Sequence, residues 1–250
     1  MFRHHGKTRT LSHNLRIASL LSFVAGMVNV GGFLAVQRLT TNVTGHFAFF
    51  VDEVYKMNLW QGLIYFLYIF FFFLGSFVAG LLVELVAKEN ERLIYVAPVV
   101  IESAILLMVG ILFSHLARDS PDVIACCLLF AMGMQNSLVT TISNSVVRTT
   151  HLTGLFTDLG IELSQLLFYK SRQHKQKLFA SIRLRLTIIS FFFFGGVITG
   201  IVYSYIGLYV LVIASALLIG GLIYDNIKFR IIQLKRRWRS METDDPGNLN

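Results

Sequence analysis

Two segments of this chain carry the same threonine-rich signature. Thr40-Thr41-Asn42-Val43-Thr44-Gly45 recurs as Thr149-Thr150-His151-Leu152-Thr153-Gly154, 109 positions further on. Threonine hydroxyls cap helix ends, and glycine lets a backbone turn or approach another chain closely. A short apolar stretch, His46–Val51, follows the first copy and leads to Asp52 and Glu53; the second runs into the amphipathic Leu155–Tyr169, with Asp158, Glu162 and Gln165. Glu53 and Glu162 each lie nine residues beyond the motif's last threonine. Each copy reads as a helix, a break and a second helix with a carboxylate at a matched position. A break at membrane depth leaves backbone donors and acceptors that only protein or a water-filled cavity can satisfy. A helix N-terminus there favours an anion or carboxylate group. The two motifs are expected either to line a solute path from opposite sides or to serve as one tight connector used twice.

Other polar residues stand inside apolar runs. Asn29 and Asn136 occupy matched positions, with Gln135 beside the second. Buried amides in lipid either bind a ligand or hold helices together, at roughly 0.6–2 kcal/mol each. Glu102 lies mid-run, where an ionised carboxylate costs roughly 2.5 kcal/mol or more. It is a candidate to carry a coupling proton, or a single structural hydrogen bond. Glu53, Asp158 and Glu162 are further coupling candidates, while Glu84 and Asp225 are expected to reach the membrane interface. The substrate-path candidates are Asn29, Thr41, Thr44, Gly45, Gln135, Asn136, Thr150, Thr153 and Gly154. The histidines show no HxxxH or HExxH spacing, and no P-loop, GxSxG or dinucleotide fingerprint occurs. No catalytic residue, metal site or cofactor is expected, and the chain does not read as an enzyme. Cys126 and Cys127 are adjacent within an apolar run and read as helix-packing residues.

The elements that must position these residues are membrane helices. Of 250 residues, 55% are hydrophobic and 14% charged, against about 25% charged in a soluble domain. Six apolar runs are long enough to span: 17–36, 62–86, 93–113, 123–141, 186–205 and 208–224. Pro98 is expected to kink the third. Lys and Arg cluster between the runs, which excludes a nucleic-acid surface as the cause of the +8 net charge. With the N-terminus in the cytoplasm, 19 of the 22 basic residues fall inside and three (Arg38, Lys56 and Arg118) outside. The positive-inside rule then puts both termini in the cytoplasm. The expected layout is a basic segment over 1–16, one transmembrane domain over 17–226, and a basic, then disordered tail over 227–250.

The repeat extends beyond the threonine motif. Gly26-Met27-Val28-Asn29 matches Gly133-Met134-Gln135-Asn136, and Phe71–Gly75 with Gly80 matches Phe191–Gly195 with Gly200. Ile101-Glu102-Ser103-Ala104 stands beside Ile213-Ala214-Ser215-Ala216, a weaker match in which Ala214 replaces the carboxylate. Repeat one covers 17–115 and repeat two 122–226. Three spans is an odd number, so the second copy enters from the opposite side, as in inverted-repeat transporters. The glycines Gly75, Gly80, Gly195, Gly196 and Gly200 read as packing faces. The expected fold is an all-α polytopic bundle of about six transmembrane helices in two inverted three-helix repeats. Residues 46–58 and 155–169 are open to being re-entrant, interfacial or spanning.

Gly26 through Asn29, the Thr40–His46 stretch, Met132–Asn136 and Arg148–Gly154 together resemble the YoaK family of bacterial membrane proteins, a domain of unknown function. The resemblance covers nearly the whole chain. His46 departs from it, since the family often has Asn after Thr-Gly. The resemblance implies a bacterial inner-membrane location, six or seven spans and no established activity. The leading expectation is a secondary transporter or permease for a small solute, working by alternating access. A passive channel of the same architecture, or a membrane scaffold or sensor, is the alternative. Expected partners are the lipid bilayer and a small solute or ion, with no nucleic acid and with a homodimer open.

Overall fold

The computed structural model describes residues 10–90, 94–112, 120–143, 145–169 and 171–243. Arg3, His4, His5, Lys7, Arg9, Arg92, His115, Arg118, Lys170 and the tail 244–250 lie outside the described residues. Among the described residues the secondary structure is wholly helical. Its α-helices are α1 (Leu11–Val36), α2 (Val43–Tyr55), α3 (Leu59–Asn90), α4 (Val96–Leu112), α5 (Pro121–Ser143), α6 (Leu152–Phe168), α7 (Arg172–Ile206) and α8 (Val210–Thr243). A 3-10 turn, Gly207–Tyr209, joins the last two.

The expected spans 17–36, 62–86, 123–141 and 186–205 fall within α1, α3, α5 and α7, which outrun them. Helix α4 covers 96–112 of the expected 93–113, and α8 starts at Val210, two residues into the expected 208–224, and runs well past its end. Helix α7 begins at Arg172 rather than near 186, and α8 runs on to Thr243. Residues 227–243 therefore continue α8 as helix. Lys, Arg and Gln are good helix formers, so hydropathy marks where the lipid ends and not where the helix ends. Pro98 does not kink α4, because it is the helix's third residue and sits in the first turn, where a missing N–H breaks no bond.

Four stretches are long and apolar enough to cross a membrane: Leu11–Val36, Leu59–Lys88, Pro121–Ser143 and Arg172–Lys228. The last contains both α7 and most of α8. Helix α4 is apolar but has 17 residues, at the short end of what spans a bilayer. The apolar windows of α1 and α5 are 61% buried, against 22% for that of α3. Helices α1 and α5 thus form the centre, and α3 and the α7–α8 stretch the periphery. The outer helices expose Phe66, Phe70, Phe73, Phe77, Phe193, Phe194 and Ile201, an apolar surface suited to lipid. The fold is a polytopic membrane helix bundle.

The packing comes in matched sets. Helix α1 runs along α7, and α5 along α3; α2 rests on α3, and α6 on α7; α4 touches α5, and α8 touches α1. At the centre α1 meets α5 and α4 meets α8. The tightest crossings depend on four glycines. A Cβ on Gly26 would stand 2.0 Å from the Phe192 carbonyl oxygen, and one on Gly195 would stand 2.1 Å from that of Phe23. The other crossing repeats this: Gly133 against Phe72 at 2.1 Å, and Gly75 against Phe130 at 2.0 Å. Each glycine aims a Cα–H at a carbonyl of the facing helix, a recurring contact where helices pack closely. Gly80 and Gly200 stand looser, at 3.8 Å. Where α4 meets α8, the Ser215 hydroxyl donates to the Ser103 carbonyl at 2.8 Å.

Candidate functional site

After α1 the chain doubles back. Gln37 takes a left-handed conformation (φ 54°), and the Thr40 hydroxyl then donates to the Val28 carbonyl at 3.0 Å. Val28 lies eight residues before the end of α1, about 12 Å down the helix at 1.5 Å per residue. The next residue, Thr41, donates to Asn29 Oδ1 at 2.7 Å. Asn42 caps α2 by accepting from the Gly45 N–H at 3.0 Å. Helix α2 therefore starts from within the bundle, not at its edge.

The second copy repeats the manoeuvre. Ser145, after α5, is left-handed (φ 63°). The Val147 N–H donates to Ser143 Oγ at 3.0 Å. Gln135 Nε2 donates to Thr149 Oγ1 at 3.1 Å and to the Leu21 carbonyl at 3.0 Å. Asn136 Nδ2 donates to Thr150 Oγ1 at 2.7 Å. The pairs Asn29–Thr41 and Asn136–Thr150 are counterparts: an amide on a central helix holds the loop that launches the short helix. These amides satisfy loop groups that lipid would leave unpaired.

Both breaks open on one cavity of about 910 Å³. Asn29, Thr41, Thr44 and Gly45 line it from one motif, and Thr150, His151 and Thr153 from the other. Phe72 of α3 and Phe192 of α7, counterparts in the matched phenylalanine runs, complete the wall. The first turns of α2 and α6 both face this space. Among the described lining residues His151 alone is titratable, and no acidic side chain takes part.

A second cavity of about 480 Å³ adjoins it and shares His151 as a wall. Ser145, Arg148, Asp158, Ser181 and Arg185 surround it. Arg185 is anchored on α6: its Nε donates to Glu162 Oε2 at 2.8 Å, and its Nη1 lies 2.9 Å from Asp158 Oδ2. Ser181 donates to Glu162 Oε1 at 2.6 Å. His151 occupies the N-cap position of α6 without a side-chain cap bond. Its ring lies over the first turn, where a Cβ on Gly154 would stand 2.5 Å from Nδ1.

Among the described residues, packed rings occupy the corresponding space beside α2 and α3. His46 is buried, its Nε2 2.6 Å from the Leu39 carbonyl. Its ring stands 4.7 Å from that of Tyr68 and 6.1 Å from that of Tyr65. Phe49 adds a further ring contact to Tyr65 at 5.3 Å. The Tyr68 hydroxyl donates to Asp122 at the start of α5, and Arg38 Nε lies 3.4 Å from the same carboxylate oxygen.

The candidates named from sequence separate into groups. Asn29, Thr41, Thr44, Gly45, Thr150 and Thr153 come together on the central cavity; Asn136 stands behind Thr150. Gly154 and Asp158 line the adjoining cavity, with Glu162 behind Arg185. Gln135 is fully buried and bonds the loop and α1 instead of lining the space. Glu53 does not share the setting of Glu162: it accepts from Asn58 Nδ2 at 2.8 Å near the far end of α2. Glu102 is fully buried on α4, outside both cavities, and neither carboxyl oxygen has a hydrogen-bond partner. Asp225 is buried within the bundle, and α8 continues past it. Sequence reasoning missed Phe72, Phe192, Arg185, Tyr68 and Asp122. The matched phenylalanine runs signalled the first two. Arg185 was counted only as a topology charge, although Glu162 and Arg185 are both polar residues on helices that pack together.

A polytopic helical bundle with a cavity between two helix breaks defines the class: a membrane protein built of apolar helices. The chain belongs to the DUF1275 family, described as a protein of unknown function, which it matches over residues 17–224. The YoaK resemblance falls within that family. No curated protein and no solved structure matches the chain.

Proposed function

We propose that this protein is a secondary carrier for a small solute, with its site between two inverted repeats. One observation carries the proposal: both Thr-Gly breaks, one from each half, open on a single cavity walled by counterpart residues. A connector used twice for folding alone has no need to converge on the same space. Helices α1, α3 and α4 form the first repeat and α5, α7 and α8 the second, giving six crossings. The distribution of basic residues supports a cytoplasmic position for both termini, in a bacterial inner membrane. Such symmetry supplies two related packings, each open to one side. Two short-helix N-termini on the wall and the lack of an acidic side chain among the described lining residues disfavour a cation. The solute is therefore neutral or carries an electronegative group. Glu102 is the coupling residue, since ionising it where it now stands costs roughly 2.5–3.5 kcal/mol and demands a rearrangement that brings water or a cation to it.

The test is uptake into liposomes holding the purified protein, from a mixture of small metabolites, followed by mass spectrometry. A carrier accumulates at least one solute saturably, in response to an imposed proton gradient. Flux that does not saturate points to a channel. Uptake equal to that of protein-free liposomes removes transport altogether and leaves a scaffold or sensor.

A further inference from the structure

The two ends of the bundle differ in one respect that the matched packing does not explain. Beside α6 and α7 the space next to the central cavity is open, and the charged side chains of Arg148, Asp158 and Arg185 border it with Ser181. Beside α2 and α3 the corresponding positions carry aromatic residues. Tyr65 stands where Arg185 does in the matched phenylalanine alignment, and Phe49 stands where Asp158 does in the threonine alignment. The rings of Phe49, Tyr65, Tyr68 and His46 pack together there. Above them Asp122 ties three elements: it accepts from Tyr68 on α3, faces Arg38 after α1 and stands at the start of α5. The His46 imidazole fills the plug, with Nε2 against the Leu39 carbonyl.

We infer that the protein is held open toward the face carrying Arg148 and Arg185, and that Tyr68, Asp122 and Arg38 form the gate closing the other. The positive-inside rule makes the open face cytoplasmic and the sealed face external. His151, common to both cavities, is the threshold a solute passes on the open side. The gate is reversible by construction. Its polar latch is one carboxylate shared by a phenol and a guanidinium, partly exposed, so opening it exchanges these partners for water. The aromatic rings beneath can part without leaving an unpaired charge in lipid. This inference rests on the proposed membrane orientation and on the central cavity being the carrier's site.

Thiol labelling tests it without a known solute. In a Cys126→Ser, Cys127→Ser background, Thr44→Cys places one thiol on the central cavity. A membrane-impermeant maleimide is applied to inside-out and right-side-out vesicles. A minor conformer holds roughly 0.1–10% of a two-state protein, so labelling from the external side is expected to be about tenfold slower or more. Equal rates, or faster labelling from outside, overturn the assignment. Asp122→Asn or Tyr68→Phe, each checked for a single monodisperse elution peak, is then expected to raise external labelling several-fold while leaving the cytoplasmic rate within about twofold. No rise in either variant overturns the gate. A thiol labelled from one side only in a protein that moves no solute leaves the gate standing and refutes the carrier, so the two failures are distinguishable.

Discussion

A methyl group at Gly133 would sit 2.1 Å from the Phe72 carbonyl oxygen and 3.0 Å from its carbon. Ordinary contact begins near 3.4 Å, so α3 and α5 would have to part by about 1.3 Å along that direction. Neither atom is the end of a flexible side chain, and the facing group is backbone, so nothing local can yield. Forced overpacking costs about 1–3 kcal/mol, and alanine returns at most about 1 kcal/mol of helix propensity over glycine. Gly133→Ala should therefore destabilise by up to about 2 kcal/mol net of that helix-propensity gain, and Gly26→Ala at the counterpart crossing by a similar amount. Gly160→Ala and Gly220→Ala are controls of opposite sign, because nothing lies within 4 Å of either added methyl. They should be neutral or stabilising. Thermal unfolding of purified protein in one detergent, followed by tryptophan fluorescence, gives the order: Gly133→Ala and Gly26→Ala below wild type, and the controls at or above it. If Gly133→Ala unfolds with the controls, the close crossing is wrong, and with it the position of the break that α5 holds.

Further outcomes follow from the same contacts. Asn29→Leu and Asn136→Leu each remove the amide that holds a threonine of the break; each should lower stability by roughly 0.6–2 kcal/mol and abolish flux, and a fully active variant would count against the site. Arg185→Gln leaves Glu162 and Asp158 without their cation. A loss of about 1–3 kcal/mol is expected in thermal unfolding, whereas Asp52→Asn, on the exposed pair with Lys56, should leave the midpoint unchanged. Gln37→Gly and Ser145→Gly relieve left-handed strain at the two reversals and should each raise stability by up to about 1 kcal/mol; a drop would mean the side chains hold contacts the reversal needs.

Much of this was legible in the chain, for identifiable reasons. Apolar runs located the helices because lipid demands uninterrupted hydrophobic surface. The Thr-Thr-x-x-Thr-Gly pair located both breaks, because capping and reversal need particular residues at fixed spacing. Gly26 and Gly133 were visible as matched positions, but nothing local indicated that they rest on Phe192 and Phe72, partners 166 and 61 positions away in the chain. Helix ends were poorly legible: at Arg172 and beyond Tyr224, polar residues with good helix propensity extend the helix past its apolar part. Glu53 and Glu162 looked equivalent by spacing and are not. Arg185 supplies a partner to Glu162 from α7, while the residue aligned with it on α3 is Tyr65. The aromatic seal was hidden for the same reason, since it combines Arg38, His46, Tyr68 and Asp122 from four separate elements.

The central claim, that one cavity between the two breaks is the path of transport, is tested most directly by bridging it. Thr44→Cys and Thr153→Cys place one thiol on each motif, both facing the same space. With the native cysteines replaced, a short bifunctional methanethiosulfonate reagent is expected to link them within one chain and stop solute flux in liposomes, with reductant restoring it. Two thiols that each react but never join, or flux that continues with the bridge in place, would contradict it.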